Sequence, residues 1–432
     1  MQNRRAFIKG STVFAAMMAA APTITIAQGA KKVFKVGMIG AGGRCKGAFN
    51  DLKKAAAAIG HDIELVAVCD FFEQKAKDAS KAFSGEKAKA FGGANGYKDV
   101  VGIPEIEIIV TATPPSFRPI HVEAAIKAGK HVFAEKPVAV DGPGVRQFLA
   151  AAKLAQEKKL SLVAGTQRRH SRGYNLQAKA LQEGKLGPIL GGNIYWNGSV
   201  PWVKAREASD TNASYLAKNW LNFAELSGDH IVEQHVHNID VANWFLGRTP
   251  KTALGFGGRA RRVTGNQYDF FSIDFDYGDG VHIHSMCRQI SGTSGGGVSE
   301  HFRTPEFEIS GGGRVQKIGD KDALKLEGDF RDGNPYEIEH IHMLEGILNG
   351  KVVNEGENVA MSTACAIAGR MSAYTGQIIR LSELVDEKFK DSPNYTFACK
   401  PSSVDFEAAG DVAMPEFGDE KWPLPGKPWG QK

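Results

Sequence analysis

Glu135-Lys136-Pro137 sets a carboxylate, an amine and a rigid imide in a row directly after a short apolar run, 131–134. Such a run reads as a buried strand. Its end would deliver Lys136 to the carboxyl edge of a parallel sheet, where ligands bind, with proline fixing the backbone just beyond it. A second group of reactive side chains lies between Ser227 and Asp240. At helical spacing Glu233, His237 and Asp240 share one face, with His230 one turn earlier. Three such groups can supply a general base, its orienting partner and a substrate hydrogen bond. Two or three imidazoles and a carboxylate would also suit zinc, and a merely solvated polar face is the plainest alternative.

The glycine turn Gly40-Ala41-Gly42-Gly43-Arg44-Cys45 follows the apolar run 34–39. It matches the dinucleotide fingerprint at its first two glycines, which permit a tight turn and let a pyrophosphate approach the amides of a helix start. Cys45 stands at the third position and is larger than glycine. Asp70 ends the next apolar run, where a carboxylate can accept both ribose hydroxyls and repel a 2′-phosphate. This favours NAD over NADP, although Arg44 could pair with a phosphate. A helix N-cap is the structural alternative for Asp70.

These residues need elements to hold them, and the patterning supplies a doubly wound parallel sheet. Strands are expected at 34–39, 62–69, 106–111, 131–134 and 160–165, with helices at 44–59, 72–83, 119–128 and 143–157. After about residue 170 the pattern changes to longer alternating strands at 189–196, 251–257, 269–276 and 280–289. Helices are expected at 231–246, 337–348 and 358–375. This implies an open, mostly antiparallel sheet covered by helices on one face. The division expected is a leader at 1–30, a nucleotide-binding domain at 33–165, an α+β substrate and oligomerisation domain at 166–385, and an irregular tail at 386–432.

A chain of 432 residues with 42% hydrophobic and 23% charged residues is ordinary for a two-domain globular protein. Lys and Arg number 53 against 48 Asp and Glu, with no basic stripe, so nucleic acid is not an expected partner. Asn3-Arg4-Arg5-Ala6-Phe7-Ile8-Lys9, followed by an apolar stretch from Ser11 to Ala27, reads as a twin-arginine signal with cleavage near Ala27 or Ala30. The mature protein is then expected outside the cytoplasm, exported already folded by the twin-arginine machinery and without a membrane span. The five cysteines lack any metal-finger spacing and are expected to be free.

Taken together, the glycine turn, Thr113-Pro114-Pro115 with His121, the run from Gly129 to Pro137, the segment carrying His237 and Asp240, and the closing helix from Ala368 to Gly376 resemble the Gfo/Idh/MocA oxidoreductases. The resemblance spans about residues 33 to 385. It implies a Rossmann domain, a C-terminal open sheet used for homodimer or homotetramer contacts, and bound NAD(P). The nucleotide site would take in Gly40, Ala41, Gly42, Gly43, Arg44, Asp70, Thr113, Pro114, His121, Glu135 and Lys136. Lys136 and His237 would flank a sugar or polyol carbon, with Asp240 assisting. Where the family helix reads Asp-x-Gly-x-His, this chain has Glu233-Gln234-His235-Val236-His237, so Glu233 replaces an aspartate and His235 fills a glycine position. Further sugar contacts are expected from Arg168, Arg169, His170, Trp196, Trp202, His235, Arg288 and Tyr336. Since no abundant nicotinamide pool exists outside the cytoplasm, NAD is expected to be tightly held and recycled. The cycle would end either in net oxidoreduction or, as in the NAD-dependent glycosidases the chain also resembles, in transient oxidation, elimination and rereduction. A non-catalytic secreted sugar-binding protein is the remaining alternative.

Overall fold

Strand β1 (Val33–Ile39) is apolar at most positions because both of its faces are covered, as parallel strands require. It pairs in parallel with β2 (Asp62–Asp70) and β4 (Ile108–Thr111), and the sheet is completed by β3 (Lys89–Gly92), β5 (His131–Ala134) and β6 (Leu162–Ala164) in the order β3-β2-β1-β4-β5-β6. Chain direction across the sheet reverses between β1 and β4, which opens a crevice at their carboxyl ends. Helices Gly43–Ala58, Glu73–Ser84, Arg118–Lys127 and Gly142–Glu157 cover the two faces. The last begins where Asp141 accepts a hydrogen bond from the Gly144 amide at 2.8 Å, with Pro143 in its first turn. The short, half-exposed β3 is the one strand of this layer that sequence patterning missed.

The computed structural model describes residues 31–399, 406 and 412–414. The leader expected at 1–30 and most of the expected tail lie outside the described residues. No described helix is long and apolar enough to cross a membrane, and all five cysteines are buried and free.

The second sheet has eight strands in the order β13-β12-β11-β7-β10-β9-β8-β14. The four anticipated strands are β7 (Gly191–Gly198), β8 (Thr252–Gly258), β9 (Phe270–Asp276) and β10 (His282–Gln289). Added to them are β11 (Gly297–Arg303), β12 (Phe307–Ser310), β13 (Arg314–Lys317) and β14 (Ile379–Arg380), together with a helix at Arg172–Gln182 that patterning also missed. Pairing is antiparallel except between β7 and β10, which run parallel. Helices Val236–Leu246 and Gly356–Thr375 pack on one face, and the other is open, with Leu254 and Phe256 exposed.

Helix Pro335–Leu348 crosses back to the first layer. Its Ile341, Met343 and Leu344 share a core with Phe34, Val36, Met38 and Phe49, each fully buried large side chain contributing about 1.5–3 kcal/mol. The first layer is therefore finished by a segment from the far end of the chain. That helix also carries Tyr336 and Glu339 to the crevice.

Candidate active site

The glycine turn is built to receive a ligand. Gly40 holds φ +97°, a left-handed conformation that favours glycine. Helix Gly43–Ala58 starts without any side-chain cap, so its first amides face the crevice unmet. A Cβ at Gly42 or Gly43 would meet nothing within 4 Å: the protein itself leaves that space open, as a pyrophosphate would require. Cys45 fits the third position fully buried, its thiol near the carbonyls of Ile39 and Val110. The Asp70 carboxylate accepts from the Ala41 amide at 2.8 Å and the Phe72 amide at 3.0 Å. It thus ties the turn to the β2 end, and the N-cap of the next helix is Phe72, not Asp70. Thr113 and His121 are joined through Oγ1 and Nδ1 at 3.0 Å, and Pro114 precedes a short 3-10 turn. His121 is buried against Tyr97 and Phe117, which places it behind the β4 loop as its brace.

Glu135 and Lys136 sit at the end of β5, both buried. Glu135 is ion-paired to Arg44 and accepts from the Lys136 amide at 3.2 Å. Arg44 in turn lies over the Tyr336 ring at 4.9 Å and 3.8 Å from Glu339. Burial and the neighbouring Glu135 push the Glu339 carboxyl well above the usual range. Gly165, after β6, leaves room for Glu135: a Cβ there would stand 2.5 Å from its carboxylate oxygen. Because Arg44 holds that carboxylate in place, Gly165→Ala is expected to destabilise the fold by about 1–3 kcal/mol through overpacking, measurable by denaturant unfolding. A cost below about 0.5 kcal/mol would show that Glu135 is free to move aside.

Lys136 donates from Nζ to the Glu233 carbonyl at 2.7 Å and lies 3.5 Å from its carboxylate. Glu233 therefore positions Lys136. It does not stand on the helix of His237, because the expected 231–246 helix is broken: Asp229–Glu233 is one short helix and Val236–Leu246 the next. Nor is the segment a solvated face. All of residues 229–240 except Gln234 are buried.

His237 opens the second helix, its ring stacked on Trp196 with centroids 5.7 Å apart at 19°. Burial first, then the cations Lys136, Arg168 and Arg44, hold its pKa well below the ordinary imidazole value. The ring is neutral at physiological pH, as a base must be. Asp240, expected to assist it, is not hydrogen-bonded to His237 among the described residues. Its carboxylate is taken by Arg169 in a two-pronged pair (2.8 and 2.9 Å) and by the Ser362 hydroxyl at 2.8 Å.

The other histidines diverge. His230 reaches the Trp196 carbonyl at 3.0 Å, while His235 meets the Ser285 hydroxyl at 2.7 Å. Among the described residues no three His, Cys, Asp or Glu converge as a metal-binding group, so the zinc alternative finds no ligand set in this segment.

Of the expected sugar contacts, Arg168 and Tyr336 are at the site. Arg168 pairs with Glu300 and lies over the Trp196 ring at 5.7 Å; the Tyr336 hydroxyl accepts from Gln167 at 3.0 Å. Arg169 and His235 are engaged as described. His170 is buried between Glu355 (2.9 Å) and His342 (2.9 Å). Trp202 packs edge-on against Trp220. Arg288 lies on the wrong face: Ser285 and Cys287 point to the helices, so alternation turns Arg288 to the open side. Glu300, Gln167 and Glu339 were missed because their roles depend on partners far away in sequence.

Two family models match the chain, one described as "Oxidoreductase family, NAD-binding Rossmann fold" over residues 34–166 and one as "GFO/IDH/MocA C-terminal domain" over residues 175–312. Inositol 2-dehydrogenase of Salmonella typhimurium is 28% identical over 220 residues, 50% of this chain and 54% of that protein. The chain thus spans about half the length of the curated relatives it matches first. 2,7-anhydro-N-acetylneuraminate hydratase of Mediterraneibacter gnavus is 24% identical over 335 residues, 66% of this chain and 83% of that protein. Among solved structures, levoglucosan dehydrogenase in complex with NADH and levoglucosan superimposes with a TM-score of 0.64 at 17% identity, covering 81% of this chain and 99% of that one.

Proposed function

The chain belongs to the Gfo/Idh/MocA oxidoreductase family, and from that premise we propose that it oxidises a secondary alcohol of a sugar, polyol or glycoside outside the cytoplasm, with tightly held and recycled NAD. The observation that carries this reading is a neutral, buried His237 facing the same crevice as Lys136 and the uncapped glycine turn. NAD, when bound, supplies the hydride acceptor. His237 takes the hydroxyl proton as the alcohol is oxidised. Lys136, with Glu233 occupying part of its ammonium, offers a remaining N–H to the same oxygen and stabilises the negative charge that develops there. Arg44 and Glu135 fix one another below that point, and Trp196 gives an apolar face to a sugar ring.

Export rests on the twin-arginine pattern of the leader, and recycling follows from the lack of abundant free nicotinamide outside the cytoplasm. The open sheet face, with Leu254 and Phe256 exposed, suits a homo-oligomer contact. A second reading, transient oxidation followed by elimination or hydration, is favoured by the likeness to the hydratase. One experiment separates the two. The mature protein is purified without added nucleotide, sugars and glycosides are added, and absorbance of reduced nicotinamide is followed alongside product analysis. Copurified NAD that is reduced, with a keto product, supports oxidoreduction; a cleaved or hydrated product without net NADH supports the second reading; absence of bound nucleotide sinks both.

A further inference from the structure

The tail returns to the mouth of the nucleotide crevice. As far as Cys399 it is tied to the first layer. Arg146, on helix Gly142–Glu157, donates to the carbonyls of Leu384 at 2.6 Å and Tyr395 at 3.1 Å, and the buried Asp141 carboxylate accepts from the Cys399 amide at 2.8 Å. Further along, Phe406 is buried with its ring nearly perpendicular to two others, Phe71 at 5.5 Å and Phe117 at 5.3 Å between centroids. Leu216, Phe223 and Leu226 complete that cluster. Phe71 and Phe117 lie just past β2 and β4, on the loops at the carboxyl edge of the parallel sheet. Phe71 directly follows Asp70, the residue placed to take the adenosine ribose hydroxyls of a dinucleotide. We infer that Phe406 is a cofactor-retaining residue: through it the tail straps together the two loops that border the adenosine half of the NAD site and slows release of the nucleotide. The inference rests on the NAD-dependent reading above and names the part of the chain that holds the cofactor in.

Both ring contacts lead back to the glycine turn. On one side the Asp70 carboxylate accepts from the Ala41 amide at 2.8 Å and from the Phe72 amide at 3.0 Å, so the Phe71 segment and the turn are fixed together. On the other side the Phe117 ring is stacked on His121, with centroids 6.1 Å apart at 16°. His121 is bonded to Thr113 at 3.0 Å, and Thr113 packs so closely on the turn that a Cβ at Gly40 would stand 3.3 Å from its Cγ2. Phe406 thus grips, from outside, the two segments that grip the turn. Core packing alone accounts for a buried phenylalanine, but it does not require that its partners be the residue after Asp70 and the residue stacked on His121. Edge-to-face pairs of this kind add to what area burial supplies. Holding binding loops in one arrangement lowers the ordering cost of binding, and affinity differences within one site appear chiefly in the rate of release.

The test uses the full-length protein loaded with NADH, whose fluorescence is followed while excess NAD displaces it. Phe406→Ala is expected to release NADH about tenfold faster or more, since both ring contacts are lost together. ADP-ribose keeps the adenosine half and lacks the nicotinamide; its affinity, read by competition with NADH, is expected to fall in the same proportion. Phe406→Leu retains apolar volume without either ring contact, and is expected to release NADH about threefold faster. Release from Phe406→Ala within about threefold of wild type overturns the inference and leaves the oxidoreductase reading standing. Faster NADH release with ADP-ribose affinity unchanged also overturns it, because the loss would then not lie in the adenosine half. Should the nucleotide-free Phe406→Ala protein show no cooperative unfolding transition, Phe406→Leu decides, and a release rate equal to wild type overturns the inference. A wild-type protein that binds neither NADH nor ADP-ribose overturns this inference and the NAD-dependent reading together.

Discussion

His237→Gln is expected to lower kcat by about 10²- to 10⁴-fold, the range a positioned general base contributes, while NAD remains bound. Glutamine approximates the imidazole in size and keeps a hydrogen-bonding end, so stacking on Trp196 and the start of helix Val236–Leu246 survive. What is lost is a group able to accept a proton near neutral pH. The pH profile carries the same signature with a definite sign. A base works only unprotonated, and burial together with Lys136, Arg168 and Arg44 holds the His237 pKa well below 6.5. Wild-type activity should therefore persist down through pH 6.5 and fall only in more acid solution. Lys136→Met removes one of those cations and should move the acid limb upward. Single-turnover reduction of bound NAD, followed at several pH values, reads both effects. Turnover by His237→Gln within tenfold of wild type would assign the proton transfer to another group.

The parts of this site that were legible in the sequence are those fixed by local chain geometry. A glycine turn between a strand and a helix, and a lysine at a strand end, are set by neighbours within a few residues, and both stand where expected. The helix bearing His237 was misjudged because periodicity assumes an unbroken helix. Gly228 and Asp229 take left-handed φ of 79° and 69°, and Gln234 and His235 interrupt the run, so Glu233 and His237 do not share a helical face. Partners were illegible for a different reason. Asp240 finds Ser362 at a separation of 122 residues and Arg168 finds Glu300 at 132, and no spacing rule links such positions. Arg288 failed on parity alone: strand alternation places it with respect to its neighbours, but only pairing with β7 and the His235–Ser285 contact say which face meets the helices. The fold survived these errors because layer order depends on where strands and helices fall, while site chemistry depends on which far-off side chain each group meets.

Asp229→Asn is expected to cost about 3–5 kcal/mol of stability, the range for breaking a buried ion pair by removing one partner. Asp229 opens the helical segment that leads to His237, and its carboxylate lies 2.9 Å from Arg370 Nε, with the Tyr374 hydroxyl donating at 3.1 Å. Both members of the pair are fully buried. The Arg370 guanidinium also reaches the Val140 carbonyl at 3.1 Å and the Cys399 sulfur at 2.8 Å. Neither supplies a full negative charge, since burial pushes the Cys399 thiol up to about 12. Asparagine isolates the electrostatic effect: it matches the volume of aspartate and is among the residues that tolerate a left-handed backbone, so strain at φ 69° does not confound the comparison. Removing both members of the pair should cost less than removing one, and Asp229→Asn with Arg370→Met is expected to recover a large part of the loss, because apolar replacement of a buried pair is often neutral. Denaturant unfolding of the two variants checks this. A single variant within about 1 kcal/mol of wild type would mean that Arg370 finds its counter-charge elsewhere, and the segment leading to His237 would then owe its placement to packing against helix Gly356–Thr375 alone.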